Sequence, residues 1–363
     1  MKKWFAALMT IVLFAAQPAL FPSGAAADGV EGNIVSGVQC FADQKSAKKK
    51  GNITYHVIAH SVNNKNSDKA WVKVKVHGAA EVDGDLQDGV WDEANGTVQW
   101  KVKSGMGADV YHLNLKVRED ASDQVTVGCY VEIDGKVTVQ GKDVTIGIGT
   151  EIHQPVFNGY PDGTFRPKAA MTRAEAATIV ARELDLMDRP ESRAFTDVPS
   201  GHWAKVYIEK AAGAGYMVGD GKRFRPEDPV TLAEWIAVTL RIKGIRGVPI
   251  ENGILDAIDG KWYANDAKTA ISLGYFVPRG AEVIAFESAV SREVVAQLFA
   301  ISLYRGELTD GETKVVQHWP DVPRSSLRFG WVEELSLVAH ESEQLGGLKE
   351  SLVRYLPEET EPF

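Results

Sequence analysis

The chain has 363 residues, 44% apolar and 25% charged, with 40 basic against 49 acidic side chains and a net charge of −9. That length exceeds one ordinary core and suits two or three domains, and the composition excludes a wholly disordered, collagen-like or multi-span membrane chain. Two cysteines are too few for a cysteine-based zinc cluster or a disulfide-stapled miniprotein, and the acidic surplus offers no basic face for nucleic acid.

Residues 1–27 read as a secretory signal peptide. Lys2 and Lys3 precede an apolar run from Trp4 to Ala16, and Ala25-Ala26-Ala27 supplies a small-residue cleavage site. Cleavage there removes two lysines and no acid, leaving −11. No Cys follows the run, and Leu356-Pro357-Glu358-Glu359-Thr360 only brushes a sortase-type motif. The expectation is an exported protein with no membrane span after cleavage, held at the cell only by binding.

Residues 30–150 read as an Ig-like β-sandwich. Ile53–Ile58, Trp71–Val76, Val98–Val102, Val110–Val117, Val125–Val127 and Val137–Val139 are β-rich, most with period-two alternation. Asn63-Asn64-Lys65-Asn66, Asp83-Gly84-Asp85, Asn95-Gly96 and Asp134-Gly135 supply turns between them. Cys40 and Cys129 fall in an early and a late strand; outside the cell the reading is one disulfide, with two buried thiols as the alternative. His56 and His60 lack a third metal ligand. Asp83, Asp85, Asp88 and Asp92 form an acidic loop without EF-hand spacing, so the metal expectation is none.

From residue 155 the period changes to that of helices. Ala176, Ala177, Val180 and Leu184 form one apolar stripe; Trp235, Val238 and Ile242 a second; Val294, Val295, Leu298 and Phe299 a third. The segments also repeat. Thr172-Arg173-Ala174-Glu175 returns as Thr231-Leu232-Ala233-Glu234 after 59 residues and as Ser291-Arg292-Glu293-Val294 after 60 more. Phe165-Arg166-Pro167 matches Phe224-Arg225-Pro226, and Trp203 with Gly215-Tyr216 matches Trp262 with Gly274-Tyr275. Later halves lie near 157–187, 218–244 and 284–305, earlier halves near 195–217, 254–277 and 319–340. The chain opens on a later half and closes on an earlier one, so three complete units require 319–340 to pack on 157–187. The expected fold is a multidomain all-β plus all-α chain, its helices closed with pseudo-threefold symmetry over 155–340. A C-terminal helix and tail are expected over 341–363.

Asn158-Gly159-Tyr160-Pro161-Asp162-Gly163-Thr164-Phe165-Arg166-Pro167 with Met171-Thr172-Arg173-Ala174-Glu175, and Phe195-Thr196-Asp197-Val198 with His202-Trp203-Ala204, resemble the S-layer homology family. The resemblance covers roughly residues 155–340. It implies three modules forming a spindle-like trimer whose grooves hold secondary cell-wall polysaccharide, often pyruvylated, on Gram-positive envelopes. The β region resembles the Ig-like modules of bacterial surface proteins more loosely.

Thr172 with Glu175, and Thr231 with Glu234, make capping boxes that explain themselves without a ligand. Arg173 is not explained by capping. Beside an open helix N-terminus its guanidinium would fork onto a carboxylate such as a pyruvyl ketal. Arg292 occupies the same position in the third repeat, where Val294 replaces the box Glu and weakens the cap; Leu232 replaces Arg in the second. Asp162-Gly163 reads equally as a turn or a ligand contact. Trp203 and Trp262 read as core wedges or sugar platforms, and Leu327 stands at their third position. The expected role is noncovalent surface anchoring without enzymatic activity or cofactor. An S-layer lattice subunit with a self-associating sandwich, or a wall-attached carbohydrate-active enzyme, are the alternatives.

Overall fold

The computed structural model describes residues 35–61, 69–102, 107–250, 255–276 and 284–361. The signal segment 1–27, the Asn63–Asn66 turn and the loop Pro278-Arg279-Gly280-Ala281 lie outside these residues.

Strands β1 (Val35–Ala42), β2 (Ser46–Ala47), β3 (Asn52–Ser61), β4 (Ala70–His77), β5 (Ala80–Val82), β6 (Val90–Asp92), β7 (Thr97–Lys101), β8 (Gly107–Val117), β9 (Gln124–Ile133), β10 (Lys136–Gln140) and β11 (Val144–Ile148) form two sheets. One runs β1-β3-β8-β5; the other runs β2-β11-β9-β4-β7-β6, with β10 on β9. Alternation decides which face is inward: along β4 the residues Ala70, Val72, Val74 and Val76 are buried, while Trp71, Lys73 and Lys75 are half-buried. Asp134-Gly135, both at positive φ, close the β9–β10 hairpin between the paired residues Ile133 and Lys136. Cys40 on β1 and Cys129 on β9 are bonded, tying the two sheets across 89 residues of chain. Closing a loop of that length stabilises by about 4–5 kcal/mol in the chain-entropy account.

Among the described residues six helices follow: α1 (Arg173–Glu183), α2 (Lys205–Gly213), α3 (Leu232–Lys243), α4 (Ala264–Ser272), α5 (Arg292–Ser302) and α6 (Phe329–Glu334). The backbone N–H groups that open α1, α3 and α5 have no partner inside their own helices. They bond in a ring. Arg173 and Ala174 donate to the carbonyls of Asp228 and Pro226, Leu232 and Ala233 to Ser288 and Phe286, and Arg292 and Glu293 to Ala169 and Pro167. The ends of this region also meet: the N–H groups of Val156 and Phe157 both donate to Leu335 O, at 2.8 and 2.9 Å.

Residues 340–355 are a hairpin, which corrects the expected C-terminal helix. Strands β14 (His340–Gly346) and β15 (Lys349–Tyr355) pair with β12 (Glu151–His153) and β13 (Glu307–Thr309) in a third sheet, order β12-β14-β15-β13. Burial along β14 alternates with period two. Gly346, Gly347 and Leu348, all at positive φ, turn the chain there and break any helix.

The sandwich and the helices share a seam. Phe41 and Ile58 belong to the same apolar core as the helices. Tyr275 Oη donates to Asp43 at 2.8 Å, Ala108 N donates to Pro249 O, and Gln39 bonds the backbone of Arg246 twice. Among the described residues no helix is long and apolar enough to cross a membrane.

Candidate functional site

Both predicted capping boxes exist as expected. Thr172 Oγ1 accepts from Glu175 N and Thr231 Oγ1 from Glu234 N, with each Glu reaching back to its cap. Ser291 makes no side-chain cap bond, as the Val294 substitution implies. The ring of backbone bonds takes the first two donors of α1, α3 and α5. The helix ends are therefore closed to an anion, which corrects the expectation of an open N-terminus beside Arg173.

Arg173 itself is 2% exposed. Its Nη1 donates to Glu234 Oε1 at 2.6 Å, its Nε to Phe224 O at 2.8 Å and its Nη2 to Val218 O at 2.9 Å. Burial pulls the guanidinium pKa down, and Glu234 opposes that. The predicted carboxylate receptor is thus engaged with a carboxylate of its own chain. Glu234 binds both ways: Oε2 accepts from Thr231 N and Oγ1, while Oε1 accepts from Arg173 and from Arg225 Nη2 at 3.1 Å.

A cleft remains open beside this pair. It has a volume of about 340 Å³ and is lined by Arg173, Asp220, Arg225, Glu234, Arg241 and Trp262, among others. Arg225 is held at positive φ because the N–H groups of Phe224 and Arg225 both donate to Asp197, at 2.8 Å each. Its side chain is 36% exposed and faces Asp220 and Asp228. Arg241, in the last turn of α3, donates to Tyr216 O at 3.2 Å. Among the described residues no carboxylate lies within ion-pair distance of it. Arg225 and Arg241 were not singled out from the sequence. Their signal was the repeat register, which places them 59 residues after Arg166 and Arg182.

Trp203, Trp262 and Leu327 are 60%, 63% and 60% exposed. None of them is a core wedge. Trp262 borders both this cleft and a smaller one with Arg225, Thr231, Tyr263 and Glu287. Trp203 stacks on His202 at 5.9 Å.

Arg292 sits differently from Arg173. Its Nε donates to Phe165 O at 2.9 Å, and its guanidinium lies over the rings of Phe165, Tyr160 and Phe157 at 4.9, 5.0 and 5.2 Å. Burial pulls its pKa down too, yet among the described residues no carboxylate reaches ion-pair distance. Asp162 Oδ1 accepts from Thr164 N and Oγ1, and its Oδ2 from Arg166, while Gly163 has φ +77°. These bonds to Thr164 and Arg166 hold the Asp162 carboxyl down at about 2. Asp162-Gly163 is accordingly a self-contained turn. Asp321 repeats the Asp197 clasp on Phe165 N and Arg166 N, at 2.9 and 2.7 Å.

Elsewhere, His56 bonds Asp43 and His112, not His60. In the acidic loop, Asp85 caps Gln87 N and Asp92 caps Asn95 N.

The model of the S-layer homology domain matches residues 154–177 and 194–234. The chain is similar to cell surface glycoprotein 1 of Acetivibrio thermocellus, 32% identical over 203 residues, which is 52% of this chain and 8% of that protein. It is also similar to a cellulosome-anchoring protein of the same organism, 30% identical over 195 residues, or 50% of this chain and 42% of that one. The chain therefore spans less than half the length of either relative. A type II cohesin domain of Acetivibrio cellulolyticus overlays 31% of this chain and 95% of its own, with 8% identity and a TM-score of 0.23, too low to carry an argument.

Proposed function

We propose that this chain, which matches the S-layer homology domain and resembles cell-surface proteins, anchors noncovalently at the cell surface by binding secondary cell-wall polysaccharide in the cleft beside Trp262. One observation carries the reading. An indole with 63% of its surface in water stands at the mouth of a 340 Å³ cleft that contains three guanidinium groups. An exposed indole at the rim of a cleft gives a ligand a broad apolar face on which to bury surface. A pyranose ring stacks on its face through C–H groups, and acidic substituents, pyruvate ketals among them, pair with Arg225 and Arg241. Arg173 and Glu234 form the floor. The protein as a whole is acidic, so its long-range field repels an anionic polymer and affinity comes from these local cations.

We further infer three modules over 155–340, closed with pseudo-threefold symmetry. The ring of bonds among α1, α3 and α5 and the matched clasps of Asp197 and Asp321 support this. The Ig-like region, 30–150, is then the displayed module, held rigidly by the shared seam rather than on a flexible tether. In this reading the protein binds rather than catalyses.

The test is retention on purified sacculi before and after extraction of the secondary polysaccharide. Retention that disappears with extraction supports anchoring, and equal retention on both sacculi overturns it.

A further inference from the structure

Where the sandwich gives way to the helices, four segments from distant parts of the chain bring buried donors together. His153 on β12, Glu334 on α6 and His340 on β14 place their ligand atoms within 4.8 Å of one another. Their relative exposures are 4%, 0% and 1%. His153 Nδ1 lies 2.7 Å from Glu334 Oε1, and His340 Nε2 lies 2.9 Å from Glu334 Oε2. A second carboxylate, Glu350 on β15, is also fully buried and comes 3.3 Å from His153 Nδ1. No other group of three such donors occurs among the described residues.

We propose that this cluster is a zinc site, with His153 Nδ1, His340 Nε2 and Glu334 as ligands and Glu350 completing a tetrahedron.

The outer ring of contacts is the first argument. Metal-bound imidazoles hold their distal nitrogen on a carboxylate or a carbonyl, which fixes ring orientation and tautomer. His153 Nε2 faces Glu151 Oε2 at 3.4 Å, and His340 Nδ1 faces Val338 O at 3.5 Å. Glu350 is likewise positioned, accepting from Gln344 Nε2, Ser342 Oγ and Gly306 N. The proximal nitrogens are left pointing at one another's carboxylates.

Charge is the second argument. Glu151, Glu334 and Glu350 bring three negative charges. Arg305, 3.9 Å from Glu334, brings one positive. Lys45 adds a second through its field on Glu151. With neutral imidazoles the cluster still keeps a net negative charge, which a divalent ion would offset. Burying carboxylates without such compensation costs several kcal/mol. Two imidazoles with carboxylate oxygens suit Zn²⁺ and do not suit Ca²⁺ or Mg²⁺, which take oxygen ligands. Zinc at about 2.0–2.1 Å from each ligand sets ligand–ligand spacings near 3.3 Å. His153 to Glu350 already has that spacing. The two histidines now hold opposite oxygens of Glu334, so that carboxylate must turn to bring one oxygen onto the ion, and the three ligand atoms, within 4.8 Å of one another, draw together around it. The ion would staple β12 to the C-terminal hairpin.

The experiment uses the full chain, stripped with EDTA and dialysed against ZnCl₂ or CoCl₂. Uptake of one zinc per chain, intense tetrahedral d–d absorption of the cobalt form and a raised melting temperature are expected. His340→Gln lowers zinc affinity at least ~100-fold, and Glu151→Gln about 10-fold. Absorption fine structure at the zinc edge of the wild-type protein needs no variant, and shows two imidazoles with carboxylate oxygen. A folded, stripped wild type that takes up no stoichiometric zinc overturns the proposal, as does undiminished binding by folded His340→Gln. Zinc scattering without imidazole overturns it too.

Discussion

Arg173 and Arg292 occupy the same first position of matched helices, yet the structure uses them differently. Arg173 is locked between Glu234 and two carbonyls. Arg292 keeps the equivalent carbonyl bond, to Phe165, but rests on aromatic faces in place of a carboxylate. Each is answered by the Glu of the next capping box round the ring. Glu234 closes on Arg173 because Arg225 joins the same oxygen, whereas Glu175 influences Arg292 only through its field. One motif therefore yields a structural clamp in one groove and a less committed cation in another.

The comparison breaks first at the clamp. Arg173→Ala strands the carbonyls of Phe224 and Val218 and removes one of the two cations on Glu234. It should lower unfolding free energy by about 3 kcal/mol in urea melts. Arg292→Ala should cost about half as much. Equal losses of stability would erase the distinction. Glu234→Gln, with two arginines to lose, should cost about 2 kcal/mol, against about 1 kcal/mol or less for Glu175→Gln in the same assay.

Trp262→Ala should leave the melting temperature unchanged and weaken retention about 10-fold, the loss of one stacked ring. Leu327→Ala should change neither. If Trp262→Ala unfolds the chain instead, the indole is structural and the cleft loses its platform.

The smallest effect lies away from both arginines, at the seam. Burial and neighbouring His56 bring His112 down to about 4, and bonds from His56 and Tyr275 outweigh burial to hold Asp43 below the usual carboxylate range. Both groups bind more protons when unfolded, so stability rises with pH across this window. As pH falls from about 6.5 to 4, the His112 contribution alone should remove about 1 kcal/mol once partial exposure is allowed for. Calorimetry of wild type and His112→Gln at both pH values checks the sign. A wild type that gains stability on acidification would refute this assignment.

Much of the architecture is legible in local pattern. Period-two alternation marked the strands from Ile53 to Val139, Asp134-Gly135 marked a hairpin, and the 59-residue register located α1, α3 and α5 with their caps. The same register carried the clue to Arg225 and Arg241. It could not show that Arg173 has a carboxylate partner 61 residues away, nor that Trp203 and Trp262 stand in water. The C-terminal hairpin carries a local signal, Gly346-Gly347 and the period-two burial of β14, and its strands pair chiefly with each other; only their outer partners β12 and β13 come from elsewhere in the chain.

The sequence by itself determined the periods and the caps, because each depends on side chains within one or two turns of each other, and the repeat, because it is written in matching residue types at a fixed register. Only the tertiary structure decided which cations stay available and which histidines meet buried carboxylates. Those outcomes depend on segments such as Glu151–His153 and His340–Gly346, nearly two hundred residues apart, being brought into one sheet. No local spacing encodes that encounter.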